Sequence, residues 1–227
     1  MNQQPPEKSV YDEYGILDVH SIFLTIHGEG PFTGHRAVFV RLAGCNLQCP
    51  MCDTEYTSGR SRMSPEEIRK VVRSLVCADC LVVITGGEPF RQNLCPLIST
   101  LLSDGLKIQI ETNGTLYQDL PYSEITVVCS PKASSVNKKL LPHIAALKYV
   151  LQHNDIQDDG LPSRALEHPN SGMLYRPPAE YGGIIYVQPA DAQDTWKNNM
   201  NLGAAISSVL THGHILCLQT HKITGME

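Results

Sequence analysis

Ala37-Val38-Phe39-Val40-Arg41-Leu42-Ala43-Gly44-Cys45-Asn46-Leu47-Gln48-Cys49-Pro50-Met51-Cys52-Asp53-Thr54 decides the fold. Ala37–Leu42 is apolar and β-branched apart from Arg41, and reads as a buried strand. From its C-terminal end it delivers a loop with three cysteines at C-x3-C-x2-C. Thiolate sulfur suits soft metals, and iron–sulfur clusters above all. Three such ligands on one short loop serve three irons of a [4Fe–4S] cube. The fourth iron is then open to a small molecule, as an open metal site is in catalysis. Zinc is the alternative. It wants a fourth protein ligand, and Cys77 and Cys80 offer a second pair.

Outward from this stretch, Val19–Ile26 alternates as a strand does and ends in the turn His27-Gly28-Glu29-Gly30-Pro31. Downstream, Ser64-Pro65-Glu66-Glu67 opens a helix with Ser at N-cap, Pro at N1 and Glu at N3. Strands are predicted over Leu81–Thr85, Lys107–Glu111, Ile125–Cys129, Ala146–Leu151, Gly183–Val187 and Ile215–Gln219, with helices over Asn93–Ser103 and Trp196–Leu210. The pattern is βα repeated, which connects parallel strands and puts every strand's C-terminal end on one side. Gly86-Gly87-Glu88-Pro89, Glu111-Thr112-Asn113-Gly114, Ser130-Pro131-Lys132 and Gln188-Pro189 all fall at such ends, where α/β sheets and barrels keep their active sites.

The totals set the frame. A chain of 227 residues with net charge −5 is one soluble domain with a full core, and broad binding to nucleic-acid phosphate is not expected. There is no apolar run long enough to span a membrane and no signal-peptide pattern, so a cytoplasmic protein is expected. Residues 1–14 read as a flexible tail and 15–227 as a single domain. Within it, 152–182 has little periodicity and reads as a surface insertion.

The loops suggest ligands. Gly86-Gly87 lets backbone approach the amino-acid end of a small molecule with no Cβ between. Ser130 and Lys132 offer a hydroxyl and a cation. Glu111 either accepts from a ribose or caps a turn. Asp53-Thr54 suits the shell of a hard cation such as Mg²⁺, or equally a helix N-cap.

Taken together, C-x3-C-x2-C followed by the glycine-rich strand end resembles the radical S-adenosylmethionine (SAM) enzymes. The wider set resembles one family among them, 7-carboxy-7-deazaguanine synthase. That set is Gly28-Glu29-Gly30, Val40–Leu47, Cys52-Asp53-Thr54, Thr85–Pro89, Glu111–Gly114, Ser130–Lys132, Val187–Pro189 and Leu218-Gln219-Thr220-His221-Lys222. The resemblance spans most of the chain from Val19 onward. It implies an α/β fold, a shortened partial (β/α) barrel of the radical SAM type with helices outside. It also implies a radical ring contraction of 6-carboxy-5,6,7,8-tetrahydropterin to 7-carboxy-7-deazaguanine, with loss of ammonia and regeneration of SAM, in 7-deazapurine biosynthesis of the queuosine type. Cys45, Cys49 and Cys52 would hold the [4Fe–4S] cluster, and Thr54 would ligate Mg²⁺. Ile26, His27, Gly28, Glu29, Arg41, Thr85, His221 and the carboxylate of Glu227 would bind the pterin. Gly86, Gly87, Glu88, Glu111, Ser130, Pro131, Lys132, Gln188, Pro189, Ala190 and Asp191 would contact SAM. A homodimer and an electron donor such as flavodoxin or ferredoxin are further implications.

Three features depart from the family pattern. His27 stands where the family usually has Gln, the 152–182 stretch is long, and Ala190-Asp191 is a near match only. Cys77, Cys80, Cys95, Cys129 and Cys217 match no cluster motif and read as buried or incidental thiols. A sister radical SAM enzyme, such as a glycyl-radical-enzyme activase, shares the cysteine spacing but does not require Glu29, Arg41 or Glu227. A zinc-binding module is the alternative from another class.

Overall fold

Strand β1 (Leu17–Ile26) pairs antiparallel with β2 (Arg36–Leu42) and with the short β3 (Ser61–Met63). From β2 onward every pairing is parallel, through β4 (Leu81–Gly86), β5 (Lys107–Thr112), β6 (Ile125–Cys129), β7 (Ile144–Leu151), β8 (Ile184–Pro189) and β9 (Ile215–Leu216). The strands form one open sheet in the order β3-β1-β2-β4-β5-β6-β7-β8-β9. These observations come from a computed structural model, which describes residues 2–76, 80–168 and 172–226.

The sheet is a partial barrel. Five strand steps separate β1 from β7, roughly 24 Å in a flat sheet. Yet Glu29, three residues beyond β1, is ion-paired with Lys148 in the middle of β7. Only a strongly curled sheet brings these together. The period-2 alternation of strands then sorts the two faces. Val38, Val40 and Leu42 of β2, and Leu147, Tyr149 and Leu151 of β7, join the main apolar core. Phe39, Arg41, Lys148 and Val150 face the inner cavity.

Three helices cover the outside of the sheet. Helix α1 (Pro65–Leu75) starts with the expected capping box: Ser64 accepts from Glu67 N–H, and the Glu67 side chain accepts from Ser64 N–H. Its Ile68 and Val72 are buried. Helix α2 (Cys95–Ser103) contributes Leu97, Ile98 and Leu101 to the core. It begins two residues later than predicted, because the Asn93 side chain donates to Asp12 O (2.9 Å) instead of entering the helix. Helix α3 (Thr195–His212) is capped by Asp194, whose carboxylate accepts from Lys197 N–H (2.9 Å), and ends at Gly213 with φ +75°. A last short helix, α4 (Thr220–Thr224), was not predicted. No helix among the described residues is long and apolar enough to cross a membrane.

Four expectations are corrected by these observations. β1 alone runs against the other strands, so it does not end on the cysteine side. Ile26 pairs with Arg36, at the far end of β2, and the 27–30 turn reaches the cavity from there. The βα alternation also lapses after β5: among the described residues no α-helix lies between β5 and β8. The prolines and turn residues of those connections explain this.

The 152–182 excursion is not merely superficial. Leu161, Ala165 and Leu174 belong to the main core, and Tyr175 O accepts from Tyr149 Oη (2.8 Å). Isolated apolar residues cover the sheet there without helical spacing. Within residues 1–14, read as a flexible tail, residues 2–10 lie against the cysteine loop and Arg91. Asn2 N–H donates to Pro50 O (2.8 Å), Glu7 N–H to Cys45 O (2.7 Å) and Val10 N–H to Arg91 O (2.8 Å). The Glu7 carboxylate pairs with Arg60 at 2.7 Å. This docking is polar, so composition does not announce it.

Candidate active site

Three loops from neighbouring strands build one floor. After β2, Gly44 turns at φ +79° and its carbonyl accepts from Glu88 N–H (3.0 Å). After β4, a Cβ on Gly86 would lie 2.0 Å from Leu42 O, and one on Gly87 would lie 2.1 Å from Gly44 O. The Gly-Gly pair is therefore required for the two loops to touch. After β5, Asn113 Nδ2 donates to Asn46 Oδ1 (2.9 Å), and Asn46 Nδ2 donates to Thr115 Oγ1 (2.8 Å). Glu88 joins the second loop to the third. Its carboxylate accepts from Asn113 N–H (2.7 Å), Thr112 Oγ1 (2.8 Å) and Phe90 N–H (3.0 Å). Burial pushes its carboxyl up to about 6 against these bonds. Beneath them the buried Arg91 Nη2 donates to Ala43 O (3.0 Å).

Above this floor lies a cavity of about 650 Å³. Cys45, Cys49 and Cys52 line it together with Gly86, Gly87, Ser130, Lys132, Gln188 and Asp191. Burial raises all three thiols, Cys45 to about 12 and Cys49 to about 11. Such neutral, desolvated sulfurs become thiolates in company with a cation, and Lys132 already bears on Cys49 and Cys52. Among the described residues no three His, Cys, Asp or Glu side chains converge on a single ion position. A cube takes each thiolate on a separate iron and needs no such point. The donor set and the Cβ-free cradle beside it thus fit a [4Fe–4S] cluster with a small ligand.

The rest of the lining is largely polar and charged. Ile26, His27, Gly28, Glu29, Arg41, Thr54, Thr85, Glu111 and His221 all line the cavity. His27 is buried. Its Nδ1 accepts from Glu29 N–H (3.1 Å), and its Nε2 lies 2.8 Å from the Gln109 amide nitrogen and 3.8 Å from Glu111 Oε1. Desolvation lowers its pKa, so the ring is neutral, with both nitrogens facing protein groups. Arg41 stacks over Phe23 at 4.9 Å, and Thr85 Oγ1 donates to Glu111 Oε2 (3.2 Å). His221 packs so close to Gly28 that a Cβ there would meet Nδ1 at 2.0 Å. Asp191 is held down to about 2, first by the Lys222 ammonium 2.9 Å away. Lys222 also reaches Asp53 (3.2 Å), beside Thr54.

Four residues expected beside SAM have no face on the cavity. Glu88 is committed to the loop bonds above. Pro131, Pro189 and Ala190 stand next to lining residues without being such themselves. Glu227 and Cys77 lie outside the described residues. Cys80, Cys129 and Cys217 are buried, whereas Cys95 is exposed. Sequence reasoning missed Lys148, Gln109 and the side chain of Gln219. A lysine inside the apolar run Ile144–Leu151 was the available signal for the first.

Comparison with known proteins matches residues 40–125 to the Radical SAM superfamily model. The 7-carboxy-7-deazaguanine synthase of Rhodospirillum rubrum is 43% identical over 216 residues, covering 91% of each chain. That of Rickettsia prowazekii is 39% identical, covering 98% of this chain and 94% of its own. The Synechocystis enzyme is 30% identical over the whole of both chains. The crystal structure of QueE from Escherichia coli superposes with a TM-score of 0.67 at 24% identity, covering 90% of this chain and 94% of that one. At that identity the match speaks for the fold.

Proposed function

Because the chain belongs to the 7-carboxy-7-deazaguanine synthase family, we propose that it contracts the ring of 6-carboxy-5,6,7,8-tetrahydropterin to 7-carboxy-7-deazaguanine, releasing ammonia. It is a radical SAM enzyme, a carbon–nitrogen lyase of queuosine-type 7-deazapurine biosynthesis. The observation that carries the reading is one cavity lined by the three cysteines and the Gly86-Gly87 cradle together with Glu29 and Arg41.

When bound, the cluster and SAM supply one-electron chemistry and hydrogen-atom abstraction. The chain's own residues do the rest. Cys45, Cys49 and Cys52 hold the cluster, and Gly86 and Gly87 admit the amino-acid end of SAM. Ser130, Lys132, Gln188 and Asp191 edge the remainder. Glu29 accepts from the amide and amine edge of the pterin at charge-assisted strength. Arg41, braced on Phe23, offers a planar fork to the substrate carboxylate. The stacked Phe23 and Phe39 rings (5.5 Å) form an apolar wall that keeps water from the reacting carbon. Thr54 offers its hydroxyl to Mg²⁺, which keeps most of its waters and takes few protein ligands.

The family reading extends to a homodimer and to a flavodoxin- or ferredoxin-type electron donor. Exposed Trp196 and Leu210 on α3 support the dimer.

The test is an anaerobic assay of reconstituted protein with the pterin, SAM, Mg²⁺ and a strong reductant, read by product mass. Carboxydeazaguanine forms without matching consumption of SAM. Cleavage of SAM with the pterin untouched overturns the substrate while keeping the enzyme class. In the same assay Thr54→Ala loses most of its Mg²⁺ stimulation, by about 10-fold, as loss of a supporting metal contact does. Its cluster absorption stays intact. Unchanged Mg²⁺ dependence removes Thr54 from the site.

A further inference from the structure

Lys148 is a charge in the middle of an apolar strand. Its neighbours Leu147 and Tyr149 join the core, while Lys148 itself faces the cavity. Its Nζ donates to Glu29 Oε2, in an ion pair whose side chains are 9% and 13% exposed. Gln219 Nε2 donates to the other oxygen, Glu29 Oε1, at 2.9 Å. An ionised carboxylate has about four acceptor directions, two on each oxygen. Inside the protein each oxygen of Glu29 thus has one direction taken and one left.

We propose that Lys148 is the positioning residue of Glu29. It keeps the carboxylate ionised and turned so that both oxygens receive a ligand edge carrying two parallel N–H donors. This rests on the pterin reading above and adds to it the group through which the reading carboxylate is set. Burial works against each charge alone. It would raise Glu29, but the Lys148 charge brings that carboxyl down to about 2. Burial would likewise lower Lys148, but Glu29 first and Glu111 next raise it. The other titratable groups facing the pair are His27 after β1, Lys132 after β6, Cys217 after β9 and His221 of α4. Among them only Lys132 is another fixed cation, and it sits on the cysteine side, bonded to Ser130. Among the described residues Lys148 is the one lysine or arginine bonded to Glu29.

The test compares wild-type holoenzyme with Lys148→Met and Lys148→Arg. In Lys148→Met the buried carboxylate loses its counter-charge and protonates at neutral pH. KM for the pterin rises about 10²-fold, while kcat changes far less, the pattern of lost uniform binding. That KM then falls as pH rises, because ligand capture now needs the proton removed from Glu29, whereas wild-type KM is flat across neutral pH. Lys148→Arg restores the charge and brings KM back to within about tenfold of wild type. If Lys148→Met does not fold, Lys148→Gln keeps a donor without the charge and shows the same pH-dependent KM. Infrared difference spectra against Glu29→Gln, taken without substrate, show an ionised Glu29 in wild type and a protonated one in the uncharged variant.

A KM within about twofold of wild type, a pH-flat KM in the uncharged variant, or a Glu29 still ionised there overturns the proposal. Wild-type enzyme that leaves the pterin untouched fails the proposed function instead, and the substrate-free infrared result still judges Lys148.

Discussion

Cys49→Ala purifies folded and colourless, takes up no cluster on anaerobic reconstitution and forms no product. The folded state survives because the loop does not depend on its sulfurs. Gly44 N–H is bonded to Tyr56 O (2.8 Å) and Glu88 N–H to Gly44 O (3.0 Å), while Asn46 is anchored to Asn113 and Thr115. Cluster binding has no such reserve. Loss of an outer-shell partner of a metal ligand costs about 10–100-fold in metal affinity, and Cys49 is proposed as a ligand itself. The buried Cys129 is tied to another environment, packed in the main core. Visible absorption, iron content and product mass are the readouts. An intact cluster in this variant would mean the ligands are wrongly assigned.

Gly87→Ala is expected to lower activity about 10²-fold or more, the scale of a displacement of about 1 Å in a reacting arrangement. Gly87 has no left-handed φ, so the penalty is one of space. The new Cβ would stand 2.1 Å from Gly44 O and 2.9 Å from Cys45 N, and both are backbone atoms. Relief requires the Gly-Gly strand end and the cysteine loop to separate. This moves the proposed SAM cradle away from the proposed cluster ligands. Reconstituted iron content falls together with turnover. Gly203→Ala is the control: it lies in α3 with nothing within 4 Å of the added Cβ, and alanine is the better helix former there. Activity of Gly87→Ala within about threefold of wild type would show that the two loops are free to part.

Much of this site was legible in the sequence, because its parts are punctuation in strong strands. The apolar runs of β2, β4, β5 and β6 announced themselves, and cysteines, paired glycines and Ser-Pro-Lys at their ends could only be loops. What stayed hidden depends on direction and curvature. Alternation in Val19–Ile26 gives a strand but not its sense, and β1 proved antiparallel. Nothing local tells that β1 and β7 curl toward each other, so Lys148 was passed over as the partner of Glu29. Glu88 misled for a related reason: a carboxylate beside two glycines looks like a ligand contact until its three internal donors are seen. The arm at residues 2–10 escaped because it docks through polar bonds, to backbone carbonyls and to Arg60, and not through apolar burial.

The separation of the Glu29 partners along the chain sets an order of assembly. The cysteine loop, the Gly-Gly cradle and the arm across them are all present within the first 92 residues. Glu29, by contrast, waits for Lys148, 119 positions later, and for Gln219, 190 positions later. A growing chain folds its early segments while later ones are still being made. The cysteine loop and its glycine cradle are therefore encoded well before the partners that set Glu29. Until the last strand and α4 dock, a nascent chain can present the three cysteines while Glu29 still lacks both of its partners.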